Sequence, residues 1–203
     1  MVSKKLLMIN VIILLMLLGM YVYGYYLLNY PVNFDFLYII NESKPLYLLT
    51  ALIITAAISW LISHLKIKRL NHANRFLLVY FLLCSLLFCF LTYTSIEAYV
   101  KSKNVLTTLE NHYIHQAKEN IKNDKIIFRF AGGLTLPNEL QEKIDCIYKR
   151  YGIHYENMGC IVDPMEIKAQ EKYKETVKVY LEKRNGKGWE EKMDYEITQL
   201  KKD

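Results

Sequence analysis

The chain of 203 residues lacks the residue patterns that usually reveal an enzyme. Gly132-Gly133 stands without the further glycines, the Lys and the Ser or Thr of a phosphate-binding loop, so we predict a turn there. His154 has no obvious Ser or Cys partner, and no two carboxylates are placed for acid–base chemistry by their spacing. The sequence therefore predicts no catalytic residue and no cofactor, and it favours a role other than catalysis.

The sequence also lacks a complete metal-binding motif. His112 and His115 lie close together, with Glu110 and Glu119 nearby, and could supply part of a metal site. The His-Glu-x-x-His arrangement of a zinc metalloprotease is missing. We therefore interpret the two histidines as surface residues and predict no metal-binding residue.

Long apolar runs are missing from the second half of the chain, whereas three of them fill the first half. They cover residues 6–28, 46–65 and 76–96. Because a helix rises about 1.5 Å per residue, each run can cross a hydrocarbon core of about 30 Å. No small-x-small cleavage site follows the first run, so we predict an uncleaved anchor rather than a signal peptide.

These runs define the predicted organisation of the chain. Residues 1–100 are predicted to form a three-helix transmembrane region, which makes the lipid bilayer a partner. Residues 101–123 have helical character and are predicted to form a stalk. Residues 124–203 are predicted to form a small α+β domain, and any protein partner is expected to bind there.

Acidic residues are missing from the connector between the second and third runs, residues 66–75, which carries four Lys or Arg. Lys4 and Lys5 precede the first run. The connector 29–45, in contrast, holds Asp35, Glu42 and Lys44. Since short loops rich in Lys and Arg stay in the cytoplasm, we predict a multi-pass protein of the bacterial inner membrane with a cytoplasmic N-terminus and an extracytoplasmic C-terminal domain.

The predicted outer domain has no clustered basic face. Residues 1–96 carry a net charge of +5 and residues 97–203 only +1. The basic balance of the chain therefore belongs to the membrane region, and we predict no nucleic-acid partner. The runs themselves hold no ionisable residue deep in the bilayer, which disfavours a transporter or proton channel.

The connector between the first two runs is unusually apolar. Residues 30–40 contain Phe34, Phe36 and Tyr38 among aliphatic residues, which does not suit a freely solvated linker. Aromatic side chains favour the headgroup level of a membrane. We expect this connector to lie along the bilayer surface or beneath the outer domain.

From residue 101 onward, the pattern predicts the order helix, strand, helix, strand, helix, helix, with the stalk as the first helix. The strands are expected at 125–131 and 153–162, and the later helices at 137–151, 165–184 and 188–201. Asp163-Pro164 is a clear helix start, because it joins a capping carboxylate to a proline at the first helical position. A strand–helix–strand unit is normally parallel, so we expect a two-stranded parallel sheet covered by helices.

Cys146 and Cys160 are a candidate disulfide pair. Ile144 and Ile147 belong to the apolar face of the helix 137–151, whereas Cys146 falls well off that face. Disulfides persist in the oxidising compartment in which we expect this domain. The alternative is two unrelated reduced cysteines.

Three segments of this domain resemble a known family. They are 147–153 (Ile-Tyr-Lys-Arg-Tyr-Gly-Ile), 157–162 (Asn-Met-Gly-Cys-Ile-Val) and 180–189 (Tyr-Leu-Glu-Lys-Arg-Asn-Gly-Lys-Gly-Trp). In that order they resemble the bacterial FEKKY-type domain over about residues 138–200. The resemblance implies a bacterial origin and no mechanism.

Four residues of these segments are candidate structural or binding positions: Gly159, Asn185, Gly186 and Trp189. Gly186 is a natural helix stop, and Gly159 suits a bulge or a close backbone approach. Trp189 is expected to pack the last helix against the sheet, with a Trp-lined binding site as the alternative.

Three functional classes follow from this organisation. The first is a bacterial inner-membrane protein that presents an extracytoplasmic interaction domain, and an immunity-type protein that neutralises an envelope-acting toxin is one form of it. The second is an envelope enzyme, and the third is a subunit of a membrane complex. The first class fits the sequence best.

Overall fold

The computed structural model describes residues 2–65, 70–130, 138–157, 159 and 163–201. Its elements, in chain order, are α1 (Lys4–Leu28), α2 (Phe36–Ser43), α3 (Leu46–Ser63), α4 (His72–Lys122), β1 (Ile126–Phe130), α5 (Asn138–Arg150), β2 (Ile153–Asn157), α6 (Pro164–Asn185) and α7 (Trp189–Leu200). The chain divides into two compact units, Met1–Lys103 and Asn104–Asp203. We describe each unit by itself.

The first unit contains the apolar helices. Three helices, α1, α3 and α4, are long and apolar enough to cross a membrane. They begin and end close to the predicted runs, although α4 starts at His72 and continues without interruption to Lys122. The predicted third run and the predicted stalk therefore belong to one helix.

The core of the first unit joins α1 to α4. Ile13, Leu17 and Cys84 are buried together, with Leu52 of α3 among the apolar residues packed against them. Near the start of α1, the amide nitrogen of Asn10 donates to the carbonyl of Leu77 at 3.0 Å. Such interhelical hydrogen bonds and close packing are the forces that hold apolar helices together in lipid.

The connector between α1 and α3 contains a helix that the sequence analysis did not predict. The carboxylate of Asp35 caps α2 by accepting from the backbone N–H groups of Leu37 and Tyr38. Ile39 is buried, and the hydroxyl of Tyr21 donates to the carbonyl of Ser43 at 2.7 Å. These contacts fix α2 against α1.

The second unit is built around a two-stranded parallel sheet, as predicted. Ile126 pairs with Ile153, and the register continues to Phe130 and Asn157. The second strand is shorter than the predicted 153–162, since it ends at Asn157, and residues 160–162 lie outside the described residues. The order of elements, from the end of α4 to α7, is the predicted one.

The predicted start of α6 is confirmed. Asp163 is the N-cap, its carboxylate accepts from the N–H of Met165 at 2.9 Å, and Pro164 follows in the first turn. Buried residues recur along α6 at helical spacing, at Ala169, Tyr173, Val177 and Leu181. They form one stripe that faces the core of this unit.

Helices supply most of the remaining core of the second unit. The buried apolar residues are Leu106, Tyr113 and Ala117 of α4, Ile126 and Phe128 of β1, Ile144 and Ile147 of α5, Ile153 of β2, and Trp189, Met193 and Ile197 of α7. The end of α4, which was predicted as a stalk, thus contributes buried residues to the same unit as the sheet.

Candidate functional site

Segments 147–153 and 180–189 of the chain meet just before β2. The side-chain amide of Asn185 donates to the backbone carbonyl of Tyr151 at 2.9 Å. The hydroxyl of Tyr151 donates to Glu196 at 3.0 Å, and Arg150 pairs with the same carboxylate at 2.7 Å. These bonds tie together the end of α5, the end of α6 and the middle of α7.

A second polar cluster lies before β1. Asp124 has a left-handed backbone, with φ of 48°, and its carboxylate accepts from the hydroxyl of Tyr180 at 2.6 Å and pairs with Arg184. The hydrogen bond from Tyr180 is the main cause that lowers the pKa of Asp124, and the charge of Arg184 adds to it. The Arg184 guanidinium also lies against Gly152, where a Cβ atom would approach its Cζ to 2.5 Å.

The structure shows the contacts of three of the candidate positions, Asn185, Gly186 and Trp189. Gly186 ends α6 with a φ of 86°, and its N–H donates to the carbonyl of Glu182. The ring of Trp189 is buried and lies 6.4 Å from the ring of Tyr151, centroid to centroid. Asn185 and Trp189 thus lie beside Tyr151, just before β2, and Gly186 ends α6. A binding role for these positions, including a Trp-lined site, stays a prediction.

Gly159 lies at the other end of β2. Its φ is 87°, and its N–H donates to the side-chain oxygen of Asn157 at 2.8 Å, which makes a tight turn just after the strand. Among the described residues, nothing lies within 4 Å of the position that a Cβ atom would occupy. The positive φ of this turn favours glycine through its backbone conformation.

Cys146 lies on the exposed side of α5, whereas Ile144 and Ile147 are buried, as the helical periodicity predicted. No disulfide partner of Cys146 is found among the described residues. Cys160 lies outside the described residues, so the pairing of these two cysteines stays a prediction.

An open groove lies between α5 and α7. Its volume is about 800 Å³, and its lining combines apolar residues with charges of both signs: Ile147, Leu200, Tyr195, Cys146, Gln199, Glu139, Glu142, Lys143, Arg150 and Glu196. The ring of Tyr195 is 66% exposed at this groove. We call this surface the α5–α7 groove.

A second groove, of about 560 Å³, lies on the other side of α7. Phe128 and Tyr155 contribute aromatic rings to it, and Lys178 of α6 reaches Glu190 of α7 at 3.4 Å. The ring of Tyr155 stacks on that of Tyr148, with centroids 3.9 Å apart and planes 24° apart. Burial, followed by the neighbouring Tyr148, raises the pKa of Tyr155 strongly, so this phenol stays protonated at neutral pH.

The histidines that could have supplied a metal site are solvent-exposed. His115 lies 3.8 Å from Glu119 on the same helical face, and His112 contacts the ring of Tyr113. Among the described residues, no group of three or more His, Cys, Asp or Glu side chains could hold a metal ion.

Comparisons with known proteins found no matching family model, no matching curated protein and no matching solved structure. The resemblance to the FEKKY-type domain is therefore still a prediction.

Sequence reasoning missed both grooves and their lining. Tyr195 and Lys178 lie on helices that read as ordinary polar, solvated helices. The grooves arise because α7 packs beside α5 on one side and α6 on the other, and no local motif records that arrangement. Only the capping signals and the apolar stripes that position the helices were visible in the sequence.

Proposed function

We propose that this chain is a multi-pass protein of a bacterial inner membrane that presents its second unit outside the cytoplasm as a protein-binding domain. The membrane placement is supported by the three apolar helices. The orientation is supported by the distribution of Lys and Arg. Residues 66–75 carry more of them than residues 29–45, which favours a cytoplasmic location for 66–75 and an outer location for 29–45. The bacterial origin follows from the family resemblance.

The α5–α7 groove is the observation that carries the binding role. Its lining combines the apolar side chains of Ile147 and Leu200 with carboxylates and cations, including Glu139 and Lys143. A segment of a partner protein can match both the apolar and the charged side chains. Exposed tyrosines are residues that often contribute strongly to protein–protein binding, which suits Tyr195.

Site-specific photocrosslinking tests this role. A photoreactive phenylalanine analogue replaces Tyr195 in the full-length chain, expressed in its own host. The matched control places the analogue at Val179 of α6, which is 73% exposed and lines neither groove. We expect a discrete crosslinked protein from position 195 that is lost when Glu139 and Glu142 are both changed to Lys. Equal crosslinking from both positions would contradict the proposal.

The orientation is tested separately by reporter fusion after Asp203. Alkaline phosphatase folds only in an oxidising compartment, whereas green fluorescent protein fluoresces in the cytoplasm. We expect an active phosphatase and a dark fluorescent protein at this junction. The reverse pattern would place the second unit in the cytoplasm and would remove the basis for the Cys146–Cys160 bond.

A further inference from the structure

Helix α2 exposes apolar residues that its contacts with the first unit do not cover. Ile39 and Ser43 face inward, whereas Phe36 is 57% exposed and Leu37 is 73% exposed. Large apolar side chains that lie side by side and are more than half exposed mark a surface that something else covers.

The helical positions separate the side chains of α2 that are not buried into two groups. At about 100° per residue, the exposed Phe36 and Leu37 and the half-buried Ile40 fall within one sector of about 100°. Glu42 is exposed on the opposite side of the helix, and Tyr38, which is 50% exposed, falls about 40° from it. The sector of Phe36, Leu37 and Ile40 therefore holds only apolar side chains, whereas the tyrosine and the carboxylate share the other side.

We propose that the Phe36, Leu37 and Ile40 side of α2 is inserted into the boundary between lipid headgroups and acyl chains, with Glu42 in water. The inference rests on the proposed membrane placement of the first unit. Because α2 connects α1 directly to α3, it stays at the membrane surface where the two helices end. Amphipathic helices lie in this boundary with their apolar side about 5–10 Å deep.

Exposed aromatic residues also flank α2, and a hydrogen bond holds the helix in place. Phe34, just before α2, and Tyr47, at the start of α3, are both exposed, and α3 is apolar enough to cross the bilayer. The bond from Tyr21 to the carbonyl of Ser43 keeps α2 against α1. In the proposed membrane placement, lipid surrounds the outer sides of α1 and α3. We expect it also to contact the Phe36, Leu37 and Ile40 side of α2, which lies between these two helices in the chain.

Charge does not drive this insertion. The connector carries Asp35, Glu42 and Lys44, a net charge of one negative unit. Attraction to anionic headgroups is therefore not available, and burial of apolar side chains is the driving force. We expect insertion into membranes of zwitterionic phospholipid alone.

Tryptophan quenching in nanodiscs tests the proposal on the full-length chain. Leu37→Trp and Glu42→Trp are compared in a Trp60→Phe background, and the emission of Trp189, measured in that background alone, is subtracted. With lipids brominated near the headgroup end of the acyl chains, we expect Trp at position 37 to be quenched at least about twofold more than Trp at position 42, since only the former lies at the depth of the bromines. Equal or reversed quenching would overturn the proposal.

Two further measurements keep the result interpretable. Phe36→Trp is a conservative change on the same sector, and we expect it to reproduce the quenching at position 37. In the unsubstituted chain, Trp60 is 53% exposed on α3, so lipids brominated along the chain quench it if α3 lies in the bilayer. Quenching of Trp60 without quenching at positions 36 and 37 would overturn the placement of α2 alone. No quenching at any of the three positions would overturn the membrane placement itself.

Discussion

The side-chain amide of Asn185 donates to the backbone carbonyl of Tyr151 across 2.9 Å, which joins the end of α6 to the turn before β2. The two residues are 34 positions apart in the chain. The bond therefore joins segments 147–153 and 180–189 within the second unit.

Replacing Asn185 with Ala removes the donor and leaves the half-buried carbonyl of Tyr151 without it. We expect a loss of about 1 kcal/mol in the free energy of unfolding of the second unit. Denaturant titration monitored by the emission of buried Trp189, in a Trp60→Phe background, measures it. Lys187→Ala, an exposed change in the same turn, is the control, and an equal effect from it would contradict the structural role of Asn185.

The pKa of Asp124 predicts a pH dependence of stability. The hydrogen bond from Tyr180, with the charge of Arg184, lowers this pKa below its ordinary value of 3.8. A carboxyl group with a lowered folded pKa stabilises the protein above its unfolded pKa, and that contribution is lost as the pH falls through the folded value.

Asp124→Asn should therefore reduce the stability of the second unit at neutral pH. The stability of this variant should also fall less steeply than that of the unsubstituted chain as the pH is lowered. Asn also tolerates the left-handed backbone of this position, where φ is 48°, so the turn is kept. Tyr180→Phe removes the main cause of the shift and should flatten the decline in part. Thermal unfolding of the second unit, followed from neutral to acidic pH, measures both. An unchanged slope in both variants would rule out this contribution.

Gly152 and Gly188 form a matched pair of glycines with positive φ, of 76° and 73°. Alanine at either position costs about 1–2 kcal/mol for the left-handed backbone. At Gly152 the added Cβ would also displace the Arg184 guanidinium, 2.5 Å away, from its pairing with Asp124, whereas at Gly188 it would meet only Glu191 at 3.9 Å. We expect Gly152→Ala to be the more destabilising change in denaturant titration by the loss of this pairing, and equal losses would contradict the contact with Arg184.

Gly24 allows α1 to approach α4 closely in the first unit. A Cβ atom there would lie 2.6 Å from the hydroxyl of Ser95, whereas no atom of the described residues lies within 4 Å of one at Gly19. We expect Gly24→Ala to cost about 1–3 kcal/mol through overpacking, and Gly19→Ala to have little effect. Unfolding by denaturing detergent in micelles measures the difference.

The double variant Gly24→Ala with Ser95→Ala separates packing from helix propensity. Removing the Ser95 hydroxyl leaves its Cβ at 3.6 Å, an ordinary contact, so we expect the double variant to recover most of the lost stability. Failure to recover would show that Ser95 is not the obstacle.

Local patterns determine much of this protein. The apolar runs are continuous along the chain, so α1, α3 and the first part of α4 could be predicted from composition and length alone. Asp163-Pro164 identified the start of α6 because a cap and its helix are adjacent in sequence. The parallel pairing of β1 and β2 followed from the helix between them. The apolar runs and the helix cap involve residues that are neighbours in the sequence. The rule for parallel strands needs only the order of strand, helix and strand along the chain.

The remaining features depend on contacts between residues far apart in the chain. The α5–α7 groove exists because α7 packs against α5, and the Asn185–Tyr151 bond exists because α6 ends beside β2. The sequence analysis predicted no helix at α2, although its Asp35 cap is a local signal. This short helix is held by contacts with α1, such as the burial of Ile39, and those contacts are not visible in the sequence. Grooves and contacts of this kind form between elements that are far apart in the sequence. They therefore depend on how the whole chain packs, and no local pattern predicts them.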